Sequence, residues 1–164
     1  MVSRQPVDHI QSDHDSVRQM VNSVGNVMND LDALFRLQTE HFDLTQTSVH
    51  ELSEKRRALE DVVNTLWSKL KIHFSYEEEH LPDVLGPVLT KALMVEHGEI
   101  AREFDHVRTV LGESDFKEVP QAEILEMKAN LQQAIGRLCQ TIEEHAKGED
   151  VLVKLVKKAT RPQA

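Results

Sequence analysis

Residues 59–81, LEDVVNTLWSKLKIHFSYEEEHL, place apolar side chains at Leu59, Val63, Leu66 and Leu70, then His73, Glu77 and His80 in the same register. Steps of three and four put all of these on one face of a helix. The face begins as a core stripe and ends in an imidazole and a carboxylate one turn apart. Residues 131–153, LQQAIGRLCQTIEEHAKGEDVLV, repeat the design: Leu131, Ile135, Leu138 and Ile142 lead to His145 and Glu149. Two helices thus carry the same H-x-x-x-E pair beyond the same kind of stripe.

Two further stripes complete the set. His14, Val17, Val21, Val24, Met28, Leu31 and Phe35 predict a helix over about 7–38. The helix holding His73 and Glu77 is expected over 49–81, because Pro82 disfavours helix in the residue before it. Leu93, His97, Ile100, Phe104, Val107 and Leu111 predict a third helix over 88–111, entered through Gly86-Pro87 and capped at Gly112. The fourth is expected over 120–158, with Lys154, Lys157 and Lys158 in its last turns, where the helix dipole favours cations. Thr39–Ser48 and Glu113–Val119 read as connections.

The expected architecture is all-α, an up-down-up-down antiparallel four-helix bundle spanning 1–164 as a single domain. In that topology the starts of odd helices and the ends of even helices share one end of the molecule. His14, His73, His97 and His145 then fall in one layer. Halves 1–85 and 86–164 read as an approximate internal duplication.

Composition agrees and excludes several partners. The chain of 164 residues is rich in helix-forming side chains and poor in Gly, Pro and aromatics. With 19 basic and 28 acidic residues it has a net charge of -9, which repels nucleic acid and anionic membrane. No apolar run approaches a membrane span, no signal peptide is apparent, and the single cysteine, Cys139, rules out an internal disulfide. The expected location is the cytoplasm.

An imidazole and a carboxylate at i and i+4 can serve neighbouring metal ions, the carboxylate leaning across as a bridge. The reading groups His14 with His73 on one ion and His97 with His145 on a second, with Glu77 and Glu149 bridging. Imidazole and carboxylate without thiolate suit iron, with manganese or zinc as alternatives. The expected cofactor is two non-haem iron ions joined by an oxo or hydroxo bridge. Buried carboxylates without metal would need other partners or neutralisation.

The pattern of His on the first helix, H-x-x-x-E on the second, His on the third and H-x-x-x-E on the fourth resembles the hemerythrin-like, HHE cation-binding family. The surrounding Asp13-His14-Asp15-Ser16-Val17-Arg18 and Glu96-His97-Gly98-Glu99-Ile100 are similar too. The resemblance spans nearly the whole chain. It implies a four-helix bundle holding non-haem di-iron, with His14, His73, Glu77, His97, His145 and Glu149 as ligands. Oxygen-carrying hemerythrins have a second histidine one turn after the third-helix ligand, where this chain has Ala101. They also usually carry a carboxylate five residues after the fourth-helix histidine, here Asp150. Loss of a histidine opens a coordination position. The remaining set is similar to that of hemerythrin-like proteins tied to iron sensing, nitric oxide or peroxide response, and iron–sulfur cluster repair.

The expected function is a di-iron protein that reacts with or senses O2, peroxide or NO. If it turns over, it is a di-iron oxidoreductase. The alternative is an iron-handling or sensing module without turnover, with oxygen carriage placed lower. The expected partner is a small diatomic or peroxide ligand, and no protein partner is legible. Asp13 and Glu96 precede ligand histidines and are read as solvated or as holding a ligand, with metal contact the alternative. His80 is read as a boundary residue or a replacement ligand, and Tyr76 as packing or a phenol donor beside Glu77. Within Glu77-Glu78-Glu79 only the first is expected to face inward. His9, His41, His50 and His106 are read as surface residues, and Cys139 as packing.

Overall fold

The computed structural model describes residues 5–40, 46–117 and 119–160. Four helices account for nearly all of them: α1 (Gln5–Glu40), α2 (Gln46–His80), α3 (Pro82–Glu113) and α4 (Gln121–Ala159). Helix α1 packs on α2 and α4, and α3 packs on the same two, while the diagonal pairs stay apart. That is the closed ring of an antiparallel up-down-up-down bundle, which four apolar stripes and short connections favour.

The stripes meet in a continuous core. Val17, Val24 and Leu31 of α1 face Leu59, Val63, Leu66 and Leu70 of α2, Ile100, Phe104 and Val107 of α3, and Leu131, Leu138 and Ile142 of α4, all buried. Each such side chain, fully covered, stabilises the fold by about 1.5–3 kcal/mol. Tertiary burial of this kind, more than intrinsic propensity, holds long helices in water. Phe116, in the connection between α3 and α4, is also buried and meets the Phe35 ring edge-on at 5.3 Å. Periodicity cannot flag a core residue that lies in a loop. A smaller apolar group closes the opposite end, formed by Val7, Ile10, Leu81, Leu93 and Val153.

Three boundaries differ from the sequence reading. Helical structure runs to Glu40 and resumes at Gln46, so half of the expected Thr39–Ser48 connection is helix and the other half, residues 41–45, lies outside the described residues. After α2 the chain re-enters helical hydrogen bonding at Pro82, not near 88. Leu85 N–H donates to Leu81 O at 2.8 Å, and Pro82, with no N–H to satisfy, suits a first turn. The kink comes at Gly86 (φ 77, ψ 170), after which Pro87 leads into the long part of α3. Gly112 is not a left-handed cap: α3 continues to Glu113, and Ser114 ends it, donating Oγ–H to Val110 O at 2.6 Å. Arg56 of α2 supplies a further donor to Leu111 O at 2.8 Å. With the last carbonyls met in this way, no left-handed glycine is required.

Gly86 does require its lack of a Cβ. Its backbone lies in a region essentially reserved for glycine, although no neighbour stands within 4 Å of where a Cβ would be. Gly86→Ala is expected to destabilise by about 1–3 kcal/mol through backbone strain alone. Urea unfolding monitored by circular dichroism should show a lower midpoint at unchanged slope.

Candidate metal centre

The i, i+4 spacing and the antiparallel order bring His14, His73, Glu77, His97, His145 and Glu149 together in the bundle interior, all buried. They form two overlapping groups: His14, His73, Glu77 and Glu149, and Glu77, His97, His145 and Glu149. Within each group the ligand-type atoms lie within 4.8 Å of one another. Glu77 stands between three imidazoles, with Nε2 of His73 at 2.7 Å, of His97 at 3.2 Å and of His14 at 3.8 Å. Glu149 Oε2 lies 2.9 Å from His14 Nε2 and 3.5 Å from His145 Nε2. Both carboxylates belong to both groups.

Behind this cluster runs a closed ring of carboxylates, one to each Nδ1. Asp13 of α1 accepts from His73 of α2 at 3.3 Å, and Glu78 of α2 from His97 of α3 at 2.8 Å. Glu96 of α3 accepts from His145 of α4 at 2.7 Å, and Asp150 of α4 from His14 of α1 at 2.8 Å. Every acceptor is the sequence neighbour of one inward-facing residue and serves the histidine of the adjacent helix. Neighbours along a helix point about 100° apart, so a side chain beside an inward ligand points towards the next helix. A proton fixed on Nδ1 leaves Nε2 as the atom facing the centre, the arrangement common among metal-bound histidines.

The electrostatics split the two inner carboxylates. Burial opposes ionisation of Glu77, yet His14, His73 and His97 hold its carboxyl well below the usual carboxylate range. Burial and the charge of Glu77 push Glu149 the other way, above that range, against the pull of His14. Burial would lower His14, but Glu149, Glu77 and Asp150 outweigh it and raise the imidazole to about 10. His97 is raised as well, Glu77 and Glu78 outweighing its burial. Asp150 and Asp13 resist burial and stay below the usual range because Arg18 and His14 donate to the first, and Lys69 and His73 to the second.

The structure places the remaining candidates elsewhere. His80 Nδ1 lies 2.8 Å from Tyr76 O, its ring stacks on Tyr76 at 4.1 Å, and neither metal-type group includes it. The Tyr76 ring also lies 4.4 Å from that of His9. Glu96 and Asp13 meet ring nitrogens at Nδ1 and do not join either group. Glu78 corrects the sequence reading: it does not simply point outward with Glu79 but reaches His97. Asp150, likewise, was legible only as a spacing and turns out to hold His14. His9, His50 and His106 are exposed, and His41 lies outside the described residues. Cys139 packs partly buried against the core, and burial pushes its thiol up to about 11.

The donor set fits a bound cation. Glu77 Oε1 and Oε2, Glu149 Oε1, His97 Nε2 and His145 Nε2 are all buried and make no hydrogen bond, although Glu77 lies within ion-pair distance of His73 and His97, and His145 of Glu149. Buried polar atoms are seldom left so, because each unmet group is destabilising by about 1–3 kcal/mol. Atoms of this kind on α2, α3 and α4, with His14 of α1 beside them, define a cation-binding helical bundle. Residues 5–156 match the hemerythrin HHE cation binding domain, and the chain belongs to that family. No curated protein and no solved structure matches it.

Proposed function

We propose that His14, His73, Glu77, His97, His145 and Glu149 hold two iron ions, one in each group, with Glu77 and Glu149 shared. The observation that carries this reading is the set of buried ligand atoms on Glu77, Glu149, His97 and His145 that make no hydrogen bond. Imidazole and carboxylate without thiolate suit iron, with manganese or zinc as competitors. Bound iron would supply one-electron redox chemistry and a place for O2, peroxide or NO to react or be sensed, here in the cytoplasm. The chain's own contribution is orientation and exclusion of water. Asp13, Glu78, Glu96 and Asp150 fix the four rings, and the apolar end group of Val7, Ile10, Leu81, Leu93 and Val153 seals the centre. A cavity of about 10 Å³ beside Glu149, walled by Ile10, Leu85, Leu152 and Val153, is at the lower limit for a single water-sized molecule. Ala101, one turn after His97, offers no ligand, which supports reaction or sensing over reversible oxygen storage.

A second reading is an iron-handling or sensing module without turnover. It is favoured by the burial of all six residues inside the core, which ties metal binding to folding. Protein from iron-supplemented cells should carry about two irons per chain and near-ultraviolet bands that bleach on reduction. Repeated turnover of peroxide supports the first reading, and one stoichiometric oxidation the second. Zinc alone, or no metal, refutes both.

The carboxylate ring makes its own prediction. Asp150→Asn keeps the shape but weakens the hold on His14, and iron affinity should fall by about 10–100-fold. Competition with a chelator of known affinity measures this, and unchanged affinity would show that Asp150 serves only its ion pair with Arg18, 2.6 Å away.

A further inference from the structure

We propose that a cleft at the end of the bundle remote from the histidines binds a small oxyanion of the phosphate class. The cleft, of about 170 Å³, is lined by Ser53, Arg56 and Arg57 of α2 and by Gly112, Asp115 and Lys117 at the close of α3. Three cations gather there in a chain whose net charge is -9. Arg56 is partly committed, donating to Leu111 O at 2.8 Å and lying 3.4 Å from Glu60. Its charge thereby offsets the negative carbonyl end of α3, which would otherwise repel an anion. The Arg57 guanidinium and the Lys117 ammonium make no ion pair among the described residues. Asp115 supplies the one carboxylate among the lining residues, and its Oδ1 is occupied by the Lys117 backbone N–H at 3.1 Å.

Ser53 gives the second, independent observation. It is 7% exposed and its Oγ has no partner. On the same helix Thr65, Ser68 and Ser75 each donate to the carbonyl four residues back, at 2.9–3.0 Å, as helical hydroxyls commonly do. Ser53 forgoes that bond, and its covered hydroxyl, with donor and acceptor capacity unused, meets an anion in the cleft once the side chain rotates towards it. A hydroxyl, a planar guanidinium fork and an ammonium are the donors that charge-assisted recognition of a tetrahedral oxyanion uses. Pockets for drug-sized ligands run to about 300–1,000 Å³, so this smaller cleft suits the oxyanion itself and not a nucleotide.

Isothermal titration of the full chain with inorganic phosphate at low ionic strength tests the assignment. Wild type should bind saturably with one site per chain. An Arg57→Ala, Lys117→Ala double variant should lose at least about tenfold in affinity. Ser53→Ala should weaken binding several-fold, while the melting temperature without phosphate holds or rises, because a buried unmet hydroxyl has gone. The absence of saturable binding by wild type, or undiminished affinity in the double variant, would overturn the proposal. So would a Ser53→Ala chain that melts lower but binds phosphate as before, which would make the hydroxyl structural.

Discussion

Replacing Glu77 with alanine will abolish the rise in melting temperature that iron gives the wild-type chain. Glu77 belongs to both ligand groups and approaches three imidazoles, so its loss strips an oxygen ligand from each proposed ion at once. A ligand present at a thousand times its dissociation constant stabilises the folded state by about 4 kcal/mol. For a chain of this size each kcal/mol moves the midpoint by about 2–4 °C, so iron should raise wild type by roughly 8–16 °C. Calorimetry with and without iron(II), under anaerobic conditions, reads the difference directly. His73→Ala removes a member of one group only and should leave about half the iron, by elemental analysis. Full loading of the Glu77→Ala chain would sink the ligand assignment.

The metal-free chains add a pH dependence with a defined sign. The folded-state value of Glu77 is depressed below its unfolded value of about 4.3, so its ion pairs contribute stability above that pH. The contribution is lost as pH falls through the folded value. Metal-free wild type should therefore exceed Glu77→Ala in stability at neutral pH, because removing one partner leaves the His14 imidazolium buried with less compensation. The gap should close as the solution is acidified below about pH 4.

The inner residues could be read from sequence because their geometry is local. His73 and Glu77, or His145 and Glu149, share a face by virtue of helical spacing alone, and the core stripe that precedes them says which way the face points. The ring behind them was not local. Whether Glu78 reaches His97, or Asp150 reaches His14, depends on how far each helix is rotated against its neighbour, which periodicity leaves open. A signal was nonetheless present: an acidic residue stands immediately beside an inward ligand on all four helices, at Asp13, Glu78, Glu96 and Asp150. The turn at 82–85 was hidden for a different reason. Pro82 ends one helix by the same property that lets it begin another, and only the hydrogen bonds back to Leu81 O decide between the two.

Phe104→Ala tests whether the core or the centre sets stability. Phe104 is fully buried on the stripe of α3 that also carries His97, and its ring lies 4.7 Å from that of Trp67. Truncating a buried phenylalanine removes its transfer energy and leaves a cavity, together about 3–5 kcal/mol. Against a total of about 5–15 kcal/mol for a domain, that is a large fraction. The melting temperature of the metal-free chain should fall by roughly 6–20 °C. Phe104→Leu keeps most of the volume and should lose less than about 1.5 kcal/mol. Phe104 belongs to neither proposed ligand group, and the four rings are held by their own carboxylates, so iron content below the transition should stay at the wild-type level in both variants. A Phe104→Ala chain that melts within a degree or two of wild type would mean that the helices are held chiefly at the centre. A chain that loses iron in proportion to its stability would mean that the Nδ1 carboxylates do not position the rings without the core behind them.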